Sequence, residues 1–253
     1  MIRNASVGTV LSPAGKAFLP DARRILDLSA EAALNARRFA ECRQHALAIG
    51  YIAPALGSFL ATSLQVFTQR HPQVKVSLFE LSPARQIEAL RENRLDIALI
   101  GHACPDLARE FDLFEIRRVP VFAVLPESHP LARKAAVSLK ALSAEHFIGL
   151  DEASFPGRND FIREACRKAG FTPDFVEQAD GLSSALAMIG SGAGVSLMPE
   201  EVADLPHRHA VFQPLQKPTV QIEFSAAVTS GEKRPIVRSL LEEFRVSGNQ
   251  ARD

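Results

Sequence analysis

The longest regular pattern in the chain opens at Ser12-Pro13, an N-cap and first-turn pair, and no glycine after Gly15 interrupts the stretch up to residue 43. Phe18, Ala22, Ile25, Ser29, Ala32, Ala36 and Phe39 then alternate steps of four and three, a single stripe with a period of about 3.5 residues. The spacing predicts a long helix over 13–45 with a coiled-coil seam built on Phe18, Ala22, Ile25, Ala32, Ala36 and Phe39. No strand-rich sequence precedes it to serve as a partner, so pairing between two copies is favoured over packing on its own domain.

After Gln44 the pattern changes to short apolar runs alternating with helical stretches. Ala46 to Tyr51 reads as a strand, Leu56, Phe59, Leu60, Leu64 and Phe67 fall at helical spacing, and Val74 to Phe79 is the next strand, giving β-α-β. Ser82-Pro83 opens a helix carrying Ile87 and Leu90, and Leu95 to Ile100 reads as a buried parallel strand. Leu113 to Ile116 and Val119 to Leu125 are expected as two further strands, before the turn Pro126-Glu127-Ser128-His129-Pro130. A second α/β unit comes next, with strands at Phe147 to Leu150, Phe175 to Gln178 and Val195 to Met198 and helices at Arg158 to Lys168 and Leu182 to Ile189. Val220 to Val228 reads as a long strand, and Ile236, Leu240, Leu241 and Phe244 return to helical spacing.

Composition narrows the functional classes. Lys plus Arg and Asp plus Glu both total 29, so no overall positive field holds the molecule on nucleic acid or an anionic membrane, and any DNA contact is local. Cys42, Cys104 and Cys166 are far apart and form no Cys-x-x-Cys; neither a zinc site nor a disulfide framework is expected, and a reducing cytoplasm fits. His207 and His209 flank Arg208 in a polar turn without the further ligands a metal needs. No apolar run reaches membrane-spanning length and no secretory leader is expected. Gly-x-Ser-x-Gly, Gly-x-x-x-x-Gly-Lys and His-Glu-x-x-His are all missing, and the neighbouring Asp151-Glu152 pair points to opposite sides of a strand. The reading is of a protein that is not an enzyme and needs no cofactor or metal.

Several segments, in order, resemble the LysR-type transcriptional regulators: Val10-Leu11-Ser12-Pro13-Ala14-Gly15, Asp21-Ala22-Arg23-Arg24-Ile25-Leu26, and Leu47-Ala48-Ile49-Gly50. Phe67 to Pro72, Gln86 to Ile100 with Leu95-Asp96, Leu125 to Leu131 and Ile189 to Pro199 continue the likeness across nearly the whole chain. The resemblance implies an α/β fold of two Rossmann-like subdomains, the type II periplasmic-binding-protein arrangement, preceded by a long linker helix. It places a wing remnant at 1–12, the dimerisation helix at 13–45, subdomain I at 46–118 plus 223–253 and subdomain II at 119–222, with crossovers near Arg117 to Phe122 and Thr219 to Phe224. Family members carry a winged helix-turn-helix ahead of this junction. The chain starts at Met1-Ile2-Arg3-Asn4, where the wing is expected, so base readout has to come from residues outside it; Arg3 and Asn4 remain as phosphate contacts only.

The resemblance also implies a small-molecule effector, an organic or aromatic acid, bound between the subdomains of a homodimer or tetramer, with closure relayed through the linker helix to DNA-reading heads. A stand-alone solute-binding protein of the same fold and a truncated, dominant-negative regulator are the alternatives. Ligands of such folds lie beyond the C-terminal ends of parallel strands, where helix N-termini suit anions. That points to Ala53-Pro54-Ala55, to Ser82-Pro83, and to Gly101-His102 at the rim, where His102 also reads as a solvated loop residue. The family places hydroxyls at or beside the positions of Pro54 and Pro83; proline there removes donors, and Ser82 is either their substitute or a plain N-cap. Opposite lie Phe155-Pro156-Gly157-Arg158, matching the family's pocket loop, and Ser183 with Ser184. A guanidinium at a helix N-terminus opposes the dipole, which makes Arg158 a candidate carboxylate anchor; the competing reading pairs it at the surface with Asp160 or Glu164. Phe155 is either an apolar wall or core.

Overall fold

The computed structural model describes residues 2–4, 8–10, 12–14, 16, 18, 19, 21, 22, 45–101 and 105–250. They divide into two compact units, Met1–Ala46 and Leu47–Asp253. In the smaller unit β1 (Ile2–Asn4), which holds Arg3 and Asn4, pairs antiparallel with β2 (Gly8–Val10). Pro13, Ala14, Lys16, Phe18, Leu19, Asp21 and Ala22 are helical, and the Ser12 carbonyl accepts the Lys16 N–H at 2.9 Å, the first closed turn where Ser12-Pro13 predicts it. Of the expected seam, Phe18 is exposed; Ile25, Ser29, Ala32, Ala36 and Phe39 lie outside the described residues.

The strands of the larger unit are β3 (Ala46–Tyr51), β4 (Lys75–Glu80), β5 (Ile97–Ile100), β6 (Phe111–Pro126), β7 (His146–Leu150), β8 (Asp174–Ala179), β9 (Ser196–Pro199), β10 (Ala210–Pro214) and β11 (Gln221–Thr229). Its helices are α1 (Ala53–Ala55), running through a π-helical turn (Leu56–Leu60) into α2 (Ala61–Arg70), then α3 (Pro83–Arg91), α4 (Arg158–Lys168), α5 (Leu182–Gly190) and α6 (Pro235–Gln250).

Seven strands join in the order β10-β6-β11-β5-β3-β4, with β9 also on β6, while β7 pairs parallel with β8. Alternation along β5 shows how the layers arise. Ile97 and Leu99 enter one apolar cluster and Ala98 and Ile100 another, since successive side chains leave a strand on opposite faces and both faces are covered. The first cluster includes Phe59 of the π turn and Phe244 of α6, edge-on to one another with ring centroids 5.7 Å apart; the second includes Ile87 and Leu90 of α3. The same logic splits the C-terminal half of β6, where Val121, Ala123 and Leu125 meet Ile162 and Cys166 of α4, and Val124 meets Leu186 and Ile189 of α5.

Asp96 has a structural task. Its carboxylate accepts the Ala48 N–H at 2.8 Å and pairs with Arg234 at 2.7 Å, so one buried acid clips the chain before α6 to β3.

Two expectations change. The strands expected at Leu113 to Ile116 and Val119 to Leu125 are one strand, β6, of 16 residues, because β11 pairs along it from Pro120 to Phe111 and Arg117 is buried rather than a solvent-exposed break. β10 is not predicted by the apolar pattern; short and ended by proline, it is tolerated at the sheet edge, where no further neighbour needs the missing N–H. β6 passes from β11 to β9 and β10 near Pro120 and Val121, so it and β11 together carry the chain between the two halves of the unit.

Candidate functional site

The C-terminal ends of β3, β4, β5, β7, β8 and β9 open into turns that converge on one cleft. Its inner part is a cavity of about 50 Å3 to which Ile52, Pro54, Pro83 and Gly101 contribute from one side. Phe155, Pro156, Arg158, Leu182, Pro199 and Glu201 contribute from the other. An adjoining outer cavity of about 270 Å3 shares Ile52, Phe155 and Leu182 and adds Ala53, Ser82 and Ser183. Larger grooves of about 460 and 620 Å3 lie elsewhere, but the buried unpaired charged groups among the described residues are not in their walls. On chemistry, the small cavity is the candidate site.

The loop after β7 is rigid for reasons visible in its hydrogen bonds. The Asp151 carboxylate accepts the N–H groups of Ala153 at 3.3 Å and Ser154 at 3.0 Å, and hydrogen bonding from Ser154 holds its pKa below the ordinary carboxyl value. The Glu152 carboxylate accepts the N–H groups of Gly157 at 3.0 Å and Asn159 at 3.3 Å, capping α4 from the outside. Asn159 accepts the Leu150 N–H at 3.0 Å and donates to the Leu150 carbonyl at 2.7 Å, pinning helix to strand. Gly157 has φ of 76°, a left-handed conformation that disfavours other residues. The adjacent acids thus spend themselves on the backbone.

This framework turns Arg158 inward. Its side chain is buried, Nη2 donates to the Leu197 carbonyl at 2.5 Å, and the guanidinium lies 5.3 Å from the centre of the Phe161 ring. Nη1 is buried without a partner, and burial pulls the pKa down to about 10. The surface pairing is excluded, since Asp160 pairs with Arg163 at 2.7 Å and Glu164 with Arg167 at 2.8 Å. A cation is therefore held in an apolar wall with one neutral acceptor, an arrangement that costs several kcal/mol as a rule, unless a counter-anion arrives.

Glu201 is a member of this site that the reading of the sequence passed over. It comes after β9 in a 3-10 turn (Glu200–Asp204), is buried, and takes no hydrogen bond from another residue on either carboxyl oxygen. The nearest cation is the buried Arg117 of β6, with Nη2 at 3.6 Å from Oε1. Burial pushes the Glu201 pKa up; the residue's own backbone N–H and then Arg117 oppose this, while Glu200 and Asp204 add to it. Of two consecutive acids, nothing in the sequence distinguishes the buried one; its place just past a strand end is the signal that pointed there. Ile222 and Phe224 of β11 also line the cavity.

Other candidates sort plainly. Ser82 is extended, its hydroxyl does not cap α3, and it faces the outer cavity with Ser183 and Ser184, the last donating to Asp180 at 2.5 Å. Ala55 packs in the core beside Phe59 and lines neither cavity, because the first turn of α1 points it at the sheet: a correction to its expected place. Phe155 is both wall and partner of the Leu186 cluster. His102 lies outside the described residues. The Ala84 N–H, one of the free donors at the α3 N-terminus, reaches across the cleft to the Ser154 carbonyl at 3.1 Å, so the two walls touch. Among the described residues no cluster of metal-ligating side chains occurs.

Residues 41–247 match the LysR substrate binding domain. The chain belongs to this family. Among curated relatives, the hca operon transcriptional activator HcaR of Escherichia coli is 28% identical over 231 residues, covering 91% of the chain and 77% of HcaR. The HTH-type transcriptional regulator BudR of Raoultella terrigena is 29% identical over 245 residues, covering 96% of the chain and 84% of BudR. These relatives are transcriptional regulators, not enzymes, and this LysR-family chain is likewise a regulator's effector-binding domain. A full-length BenM mutant shares the fold with a TM-score of 0.72 at 22% identity, covering 97% of the chain and 81% of BenM. The BenM effector binding domain with its effector benzoate gives 0.67 at 22%, covering 79% and 90%. The periplasmic-binding-protein-like α/β fold expected from the sequence is thereby shown. Among the described residues no helix is long and apolar enough to cross a membrane.

Proposed function

We propose that the LysR-family domain takes a small monoanionic organic acid in this cleft, with Arg158 as its carboxylate anchor. The observation that carries the reading is the buried guanidinium with an unpartnered Nη1 in a mostly apolar cavity whose other ionisable wall residue is Glu201. Arg117, also buried, adds positive potential nearby, so anions are favoured over neutral or cationic ligands. At about 10–15 Å3 per water-sized particle, the inner space corresponds to about four such particles, the size of a three- or four-carbon acid. Larger aromatic acids, such as the benzoate bound by BenM, need the outer cavity or an opened cleft.

In this reading Pro54, Pro83, Gly101, Phe155 and Pro156 shape the apolar walls and Ser82 and Ser183 serve the outer cavity. Binding biases the closure of the part spanning 46–118 and 223–253 against 119–222, and the helix of 13–45 passes the change, in a cytoplasmic homodimer or tetramer, to DNA-reading heads. Arg3 and Asn4 then contribute phosphate contacts.

The test is thermal melting across acetate, propionate, pyruvate and benzoate at equal ionic strength, with Arg158→Ala beside the unaltered chain. At least one acid raises the midpoint of the unaltered chain in a saturable way, and the variant loses that shift. A variant that keeps the full shift removes Arg158 as the anchor.

A further inference from the structure

We propose that Glu201 contacts the effector as a neutral carboxylic acid, donating a hydrogen bond to a second acceptor oxygen of the acid held by Arg158, and so selects oxo or hydroxy acids over plain alkyl acids. This rests on the anion reading of the same cavity.

The geometry begins with what Glu201 lacks. An ionised carboxylate accepts several hydrogen bonds, and buried Asp96 has them, from the Ala48 N–H and Arg234. Glu201 is equally buried, at 7% exposure, yet no other residue donates to either oxygen, only its own backbone N–H bears on the group, and Arg117 stands at 3.6 Å, outside hydrogen-bond range. A carboxylate buried without donors from other residues is unfavourable, and taking up a proton removes most of the penalty.

The surroundings agree from every side. On the same 3-10 turn Glu200 and Asp204 oppose a further negative charge. Neither α1, the π turn nor β9, all packed on that turn, contains a charged residue. β6 brings Arg117, and α4 brings Arg158 to the same cavity. Burial outweighs the attraction of Arg117.

A neutral acid has one O–H donor, and in this cavity that donor has nothing to meet. Arg158 Nη1 is in the same position. One compact ligand satisfies both if it carries a carboxylate and a second acceptor oxygen, and bears no cationic group. An alkyl acid of the same size leaves the Glu201 hydroxyl buried and unpaired, which is how such sites reject a ligand lacking a polar atom.

Pyruvate and propionate, which differ by a carbonyl in place of a methylene, are the probes, measured by titration calorimetry in buffers of different ionisation heat. The unaltered chain binds pyruvate at least tenfold more tightly than propionate. Where Glu201 is ionised in the free protein, binding takes up a proton, so affinity falls as pH rises, by up to tenfold per unit. Glu201→Gln, which keeps a donor and stays neutral, retains the preference and loses the proton uptake. Glu201→Leu loses both. If Glu201→Leu keeps the preference, or if the unaltered chain prefers pyruvate by less than threefold, Glu201 is not a contact, while an Arg158-dependent response leaves the anchor standing. If neither acid nor any other in the melting series binds, the anion reading itself falls and this inference with it. Circular dichroism of each variant confirms that the fold is intact before affinities are compared.

Discussion

Arg158 shows how a single side chain sets fold stability against the binding role proposed for it. Folding brings its pKa down from the ordinary guanidinium value to about 10, so at neutral pH the native state holds a cation that the unfolded chain holds more easily. The group therefore destabilises the fold at every pH below about 10, and the penalty fades as the guanidinium loses its proton above that value. Replacing it with an unbranched apolar side chain removes the penalty and the hydrogen bond to Leu197 together. Arg158→Met is therefore expected to gain about 1–2 kcal/mol in urea unfolding at pH 7 while losing its response to carboxylates. A variant less stable than the unaltered chain would show that the cation is better solvated than its surroundings indicate.

At the scale of elements, the joint between β7 and α4 decides where Arg158 points. Asn159 satisfies both backbone groups of Leu150, and a Cβ on Gly149 would lie 2.9 Å from its Oδ1, so the strand and the helix approach as closely as this pair of residues permits. Asn159→Ala leaves a buried N–H and C=O unpaired, a loss of about 2–3 kcal/mol measured by chemical denaturation. A loss within about 0.5 kcal/mol, on the order of ordinary surface substitutions, would mean that water replaces the amide. Elements of this kind were legible in the sequence where their signals are local: proline and serine starts predict α3, glycine marks the end of α4, and continuous apolar runs predict β3, β5 and β11. The cavity-lining residues at strand ends, Pro54, Pro83 and Gly101, were legible for the same reason. Glu201 and Arg117 were not, because burial of a charged residue is settled by neighbours distant in sequence. β10 was missed because it exists by pairing with β6 and has little pattern of its own.

The whole larger unit turns on two strands. β6 and β11 pair with each other from Phe111 to Pro120, with a register shift at Phe224 and Ser225, and a paired ribbon bends more readily than it shears. Across the cleft the walls meet at the bond between the Ala84 N–H and the Ser154 carbonyl. A backbone contact of 3.1 Å makes this pair of positions the place to try a disulfide across the cleft. The double variant Ala84→Cys, Ser154→Cys is expected to oxidise spontaneously, to block ligands larger than the inner cavity, and to recover on reduction; unchanged benzoate binding by the oxidised form would show that entry does not need the walls to part. The same bond has a consequence for dose. On the proposed anion reading, Ser154 occupies a donor that an incoming anion would otherwise use; the unliganded protein then carries its own competitor, and any ligand that must displace it binds with an affinity lowered by the fraction of molecules still shut. The response threshold is then set inside the chain, and weakening that one contact would lower the concentration at which the regulator answers without altering a single residue that touches the ligand's carboxylate.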